Sequence, residues 1–426
     1  MQTKKIIRLS GILLLLVVLT TGCAQNLVVQ GKKLTEKGQY DQAIELLYQE
    51  IANNPQRLAA WRELGIAFYK KGELPKAEEA LKKANKSDPA THLYLGLIAE
   101  ARNEYDKAVN AYTAALKLNP GGKTEELLTQ HLDNLVVKKL NRQVEIAVDN
   151  ESGIDVGEIP DNTIAVADFD GSNLPPDLAP IAIGLAEFTA ADLAKVGSLQ
   201  LIERRKLDLL MKELNLSSSD MVDQSMAPRM GKLLGSSRLV TGSVLNTGEN
   251  EIRLDGAVVD VRDSSTTIQD PSAGSLDRFF QIQKDLVFKV IDDLGVELTA
   301  EERNAIEKVP TESYLAFMAY CRGLDLRNRG MYQAAQAEFT TATKEDKSFS
   351  AARSESQMSA SLQQGLVGAS ALEASIGSTG DNRLVGRDMT LNWMVTNTDE
   401  RKSAPKVPPR TAGTGTVVIR GDLDGN

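Results

Sequence analysis

Hydrophobic and small residues recur at helical spacing from Ala24 to Pro120, and the same order of them returns three times. The middle pass is Trp61, Leu64, Gly65, Phe68, Gly72, Ala77, Leu81, Ala84 and Pro89. Before it stand Gly31, Leu34, Gly38, Tyr40, Ala43, Leu47 and Pro55; after it, Leu95, Gly96, Tyr105, Ala108, Tyr112, Ala115 and Pro120. The alanines Ala43, Ala77 and Ala108 are 34 and then 31 residues apart, so the third unit reads as about one turn shorter. Small residues at Gly65 and Ala77 let two helices approach, Gly38 and Gly72 suit a left-handed turn, and each proline stops a helix. Leu127, Leu128, Leu132, Leu135 and Val136 then form an apolar stripe, which predicts a helix over 121–148 that caps the repeats. Residues 149–162 carry five acids, no Lys or Arg, and Pro160; they read as an acidic linker.

These three units resemble the tetratricopeptide repeat, a helix–turn–helix of about 34 residues. The resemblance implies a curved all-α solenoid over 24–120 whose first helices line an inner groove. Counting along the repeat places Lys32, Arg62, Ile66, Tyr69, Tyr94 and Leu97 on that inner face. Arg and Tyr bury large areas while keeping hydrogen bonds, the chemistry of binding hot spots. Arg62 and Tyr69 stand out, because Leu64, Gly65 and Phe68 already fill the packing positions.

The period then changes. Ile164–Phe169 is a continuous apolar run, as in a strand buried on both faces. A helix opens at Pro180, followed by a strand Leu199–Glu203, helices Arg204–Leu214 and Pro228–Leu234, and a strand Arg238–Leu245. Glu251–Val261 alternates apolar and polar residues, a half-buried strand, and a helix Asp277–Leu294 closes the region. The phrases IAVADF, LQLIERRKLDLLMKE, GKLLGSSRLVTGSV and LDGAVVDV resemble the CsgG family over 163–300. That group holds a curli-secretion lipoprotein and relatives such as FlgO, LpoB and the N-terminal domain of TolB. The resemblance implies a small α/β fold similar to an anticodon-binding domain. Pore-forming members extend long hairpins from this sheet, and a spanning strand needs about 9–11 alternating residues. The turn Asn246–Asn250 and the polar stretch Ser264–Leu276 supply neither. From Glu312, residues Gly323, Leu326, Gly330, Tyr332, Ala335, Phe339 and Ala342 repeat the first pattern, giving repeat-like helices over 311–364. Residues 365–426 read as a largely disordered low-complexity tail, in which TVVIR at Thr416–Arg420 is strand-like. The expected fold class is therefore α+β multidomain.

At the other end, Lys4, Lys5 and Arg8 precede an apolar run Leu9–Leu19, too short for a spanning helix and typical of a secretory leader over 1–22. Thr20-Thr21-Gly22-Cys23 resembles the bacterial lipobox, although Thr20 stands where an aliphatic is usual. This implies lipidation of Cys23 and, with Ala24 rather than Asp next, an outer-membrane anchor facing the periplasm. The formal charge is −9, and loss of Lys4, Lys5 and Arg8 makes it three units more negative. An acidic chain with 5% aromatics excludes nucleic acid as a partner class. Cys321 is left without a partner cysteine and reads as a small buried hydrophobe.

Catalytic residues, metal ligands and cofactors are not expected. His92 and His131, the chain's two histidines, read as packing or surface residues. Gly121-Gly122-Lys123-Thr124 imitates a phosphate loop but has Lys117 in place of its first glycine and no strand before it. Asp168 and Asp170 read as turn-capping carboxylates at a strand end rather than a catalytic pair. The function that emerges is a non-catalytic scaffold that grips periplasmic or outer-membrane proteins with its repeats and its CsgG-like domain. The alternative is an oligomeric CsgG-like export component, and self-association into a homo-oligomer stays open. One test is direct: Cys23→Ala should yield an unprocessed or soluble protein, because multiple acyl chains make attachment stable. Continued fractionation with the outer membrane would remove Cys23 as the anchor.

Overall fold

The sixteen-residue interval between Gly31 and Leu47 recurs between Gly65 and Leu81 and between Gly96 and Tyr112, and it builds the first part of the molecule. The computed structural model describes residues 27–217, 219–220, 226–248 and 250–378; the leader, Cys23 and residues 379–426, with TVVIR, lie outside them. Helices α1 (Leu27–Glu36) and α2 (Tyr40–Asn53), α3 (Leu58–Lys71) and α4 (Leu74–Lys82), and α5 (Pro89–Ala101) and α6 (Tyr105–Lys117) pair as three hairpins. A Cβ on Gly31, Gly65 or Gly96 would lie 2.7, 2.5 or 2.3 Å from the facing Leu47, Leu81 or Tyr112. The helices therefore touch at backbone distance, with the large side chain filling the notch. Seven residues beyond each of these glycines the chain turns with positive φ: Gly38 at 75°, Gly72 at 87° and Asn103 at 58°. Asparagine tolerates that conformation, so the third turn forms without a glycine. The shortening inferred for the third unit falls earlier: α4 has 9 residues where α2 has 14 and α6 has 13.

The second unit runs from Gly121. It begins with α7 (Gly122–Asp149), then β1 (Thr163–Val166), α8 (Pro180–Leu193), β2 (Gln200–Leu201), α9 (Arg204–Glu213) and α10 (Met226–Leu234). After these come β3 (Arg238–Gly248), β4 (Glu251–Asp260), β5 (Thr266–Ile268), β6 (Ser272–Ser275), α11 (Phe279–Asp293) and α12 (Ala300–Glu307). The sheet order is β2-β1-β3-β4-β5, with β6 also paired to β4; β1 is parallel to β2 and β3, and the rest is antiparallel. Alternate residues sort to two faces. Ile164, Val166, Val240 and Val258 share a core with α8 and α11, while Ala165, Ala167, Leu239 and Val259 share another with α9, α10 and Val144 of α7. The apolar run read as doubly buried is so: all four residues of β1 are buried.

Three expectations about boundaries change. First, the repeat-like helices α13 (Tyr314–Asn328) and α14 (Tyr332–Glu345) are no separate domain, because they complete the core above α8. Phe317 stacks on Phe279 at 3.9 Å, Phe188 meets Phe280 at 5.2 Å and Tyr320 at 5.4 Å, and Tyr320 meets Phe349 at 4.9 Å. Their hairpin reuses the repeat device, with a Gly323 Cβ position 2.5 Å from Phe339 and Gly330 at φ 76°. Second, α7 finds partners within this unit, packing on α9, α10, α15 (Ser350–Gln364) and α16 (Ala369–Ser378). Gln130 donates to the Gly365 carbonyl at 2.9 Å and Asn134 to that of Ser361 at 2.8 Å, and His131 Nδ1 meets that of Val367 at 2.7 Å. The start of the expected tail is thereby ordered, and Leu372 is fully buried. Third, the acidic stretch lies on the domain instead of linking freely: Ile159 is buried, and Glu151 takes Arg229 at 2.7 and 2.8 Å.

Gly184 of α8 allows the closest approach to α13, since a Cβ there would stand 2.2 Å from Cys321 Sγ. Gly184→Ala should destabilise the second unit by about 1–3 kcal/mol in denaturant unfolding, and Cys321→Gly should restore part of the loss. Simple additivity of the two changes would show that the pair does not set the packing distance.

Candidate protein-binding site

On the first helix of each repeat, the structure separates surface from packing. Lys32 is exposed on α1, and Ile66 and Tyr69 are half-buried on α3. Tyr94 and Leu97 of α5, placed on the inner face by counting, are 5% and 4% exposed. They are corrected to packing residues: α5 carries seven buried positions, and these two fall within its apolar surface. The Tyr94 ring receives the Tyr69 ring edge-on, with centroids 5.5 Å apart and planes at 70°. Such a pair is worth about 0.5–1.5 kcal/mol beyond burial. Burial raises the Tyr69 phenol above its ordinary pKa, and the nearby Glu100 carboxylate adds to the effect. Glu100 also accepts from Tyr112 at 3.1 Å.

Arg62 has a role that the sequence reading did not give it. Its guanidinium holds Glu63 Oε1 at 2.6 Å and pairs with Asp88, whose other oxygen caps α5 by accepting from the Ala90 backbone N–H at 2.9 Å. Glu63 is 4% exposed, so removing Arg62 strands a buried carboxylate. The expectation that Arg62 is free for a partner is therefore revised; of the proposed pair, Tyr69 keeps the open surface. Asp88 directly before Pro89 is a helix-start signature that was legible in sequence. The partnership between Arg62 and Asp88 was not, because it spans 26 residues.

In the second unit, a polar cleft of about 460 Å³ lies at one end of the sheet, lined by Asp161, Asn162, Ser198, Arg238, Asp260 and Asp293 among others. Arg238 is held by Asp260 at 2.8 Å. Asp170 accepts the Ser172 backbone N–H at 2.9 Å, the turn-closing role read for it, whereas Asp168 instead pairs with Arg204. His92 Nε2 lies 2.7 Å from the Lys86 carbonyl, and Cys321 is buried. Among the described residues no three His, Cys, Asp or Glu side chains gather to hold a metal ion, and no helix is long and apolar enough to cross a membrane.

Two stretches, 34–101 and 89–121, match models of the tetratricopeptide repeat, and 137–266 matches the model of the curli production assembly/transport component CsgG. The chain carries tetratricopeptide repeats and a CsgG-family domain. The CsgG match starts inside α7, whose Val144 belongs to the core beneath β1, α9 and α10. Among solved structures, the LpoB C-terminal domain from Salmonella enterica is similar at 18% identity, over 32% of this chain and 98% of that one, with a TM-score of 0.21. A tetratricopeptide repeat protein from Parabacteroides merdae ATCC 43184 is similar at 15% identity, over 78% of this chain and 97% of that one, with a TM-score of 0.24. No curated protein matches the chain.

Because Arg62 holds two carboxylates, Arg62→Ala should lower the stability of the repeats by about 3 kcal/mol or more. An unchanged thermal midpoint would return Arg62 to the exposed groove.

Proposed function

We propose that the protein is a non-catalytic scaffold of the bacterial envelope, anchored in the outer membrane through a lipid on Cys23 and holding partner polypeptides on the periplasmic side. The observation that carries this reading is the union of a repeat array with a CsgG-family domain whose sheet stays short at its margins. The β3–β4 connection returns between Gly248 and Glu251, and β5 and β6 have 3 and 4 residues. Strands that span an outer membrane need about 9–11 residues with a lipid-facing alternation. β3 and β4 have the length, but their apolar residues Val240, Val244, Ile252, Leu254 and Val258 lie in the core with α8 and α11. A binding role rather than a conducting one fits that arrangement, and the family description supports an envelope setting.

In this reading the repeats grip an extended or helical segment of a periplasmic or outer-membrane protein, with Tyr69 as the anchor. Tyr69 combines a partly exposed ring with a polar tip, and its edge-on seat against Tyr94 fixes the ring before any partner arrives. Tyr69→Ala should weaken partner capture by at least about 2 kcal/mol, roughly thirtyfold, in crosslinking from intact envelopes. Circular dichroism melting of the same variant separates lost binding from lost fold. Capture at the wild-type level would move the site to the CsgG-family domain. A purified ring with single-channel conductance would overturn the scaffold in favour of an export component.

A further inference from the structure

Within the second unit, a cluster of buried charge lies along the seam between the sheet domain and the C-terminal helices. Arg204 of α9 pairs with Asp168 after β1 and with Glu187 of α8 at 3.1 Å, and it donates to the Val166 carbonyl at 2.7 Å. Arg205 reaches Glu355 of α15 at 3.0 Å, and Arg327 of α13 reaches Glu355 at 3.0 Å and Asp208 of α9 at 3.5 Å. Glu203 ahead of α9 and Asp133 of α7 face the same guanidiniums, as does the Tyr320 phenol of α13. Six carboxylates thus meet three guanidiniums in a largely buried cluster, whose Glu187 side chain is 23% exposed at one margin. Glu203 Oε2 and Asp208 Oδ1 are buried without any hydrogen-bond partner among the described residues.

A carboxylate without a matching cation cannot stay ionised cheaply in such a place, and taking up a proton is the less costly outcome. We infer that this cluster is a proton-dependent lock, which fastens the helices α13–α15 to the sheet domain in mildly acidic surroundings and loosens as the pH rises through neutrality. Burial raises Glu203, Asp208 and Asp133 to about 7, and the Asp168 carboxylate adds to the shift at Asp208. In an opened seam these groups return to the ordinary range near about 4, so the closed form binds more protons. Their contribution is fully present below that value and is lost as pH climbs through about 7. Glu355 works in the opposite sense: burial alone would raise it, but Arg327 and Arg205 hold it below its usual value. Its contribution is present above the ordinary carboxylate range and is lost as the pH falls through its depressed value. The two senses together place the tightest grip on the mildly acidic side.

Hydrogen exchange of the full chain reads the lock directly, through the amides of residues 314–364 after correction for intrinsic rates. Protection should fall at least about tenfold between about pH 5.5 and pH 8, because each carboxylate is carried through its shifted pKa. Glu203→Gln and Asp208→Asn imitate the protonated side chains, so either should flatten this slope and keep protection at pH 8. Glu355→Gln should instead lower protection at both ends, since it removes the anchor of two arginines. Wild-type protection that does not change with pH would overturn the lock, as would an unaltered slope in the amide variants. Where a variant fails to fold, the wild-type slope alone decides.

Discussion

Helix α8 has no polar side, and the rest of the second unit follows from that. Ten of its fourteen residues are buried, including Ile181, Leu185, Phe188 and Leu193, and the strip that holds Ile183, Glu187 and Ala191 is half-buried. A helix that is apolar all round must be covered on every side. The sheet covers one side through Ile164, Val166 and Val240, and α11 covers a second. The remaining side is closed by Phe317, Tyr320 and Cys321 of α13, so the C-terminal hairpin is as much a part of the domain as its strands. Where α8 turns polar, at Asp192, the carboxylate sits between Lys284 at 2.6 Å and Lys195 at 2.9 Å and accepts from Gln283 at 2.9 Å. Burial of that group is met by two side chains of α11 and by Lys195 just past the end of α8.

Much of this architecture is legible in the chain because its signals are local. The glycine notches, the turns seven residues later and the doubly buried β1 can all be read from spacing within about forty residues. The family resemblance of the central region is likewise carried by contiguous phrases. Partnerships at long range are not readable in this way. Nothing in the stretch around Arg62 announces Asp88, and the stripe on α7 reads equally well against repeats or against α15. The error over Tyr94 and Leu97 has the same root: counting along one helix gives an angle, but not whether the next helix covers it. The start of the tail misled for a different reason, since its Ser, Ala and Gly content resembles disorder although Leu372 anchors α16 in the core.

The hairpin α13–α14 also separates a repeat from its usual surroundings. It keeps the notch between Gly323 and Phe339 and the turn at Gly330, yet its neighbour on one side is α8, a helix of the α/β domain. The repeat device specifies how two helices pair and says little about what they stack upon. One helical grammar therefore serves a solenoid in the first unit and a lid over a sheet in the second.

The pairing of Phe188 with Phe349 joins positions about 160 residues apart, and it fixes an order in time. Synthesis delivers the chain from its N-terminus, so α8 emerges with one apolar side bare until α13 and the segment carrying Phe349 have followed. Until then the sheet domain is a sticky half-product, in need of a chaperone's hold or of fast delivery of its own C-terminal helices. Interrupted synthesis would leave such a fragment behind, and proteases would find it by the same uncovered helix that the finished protein hides.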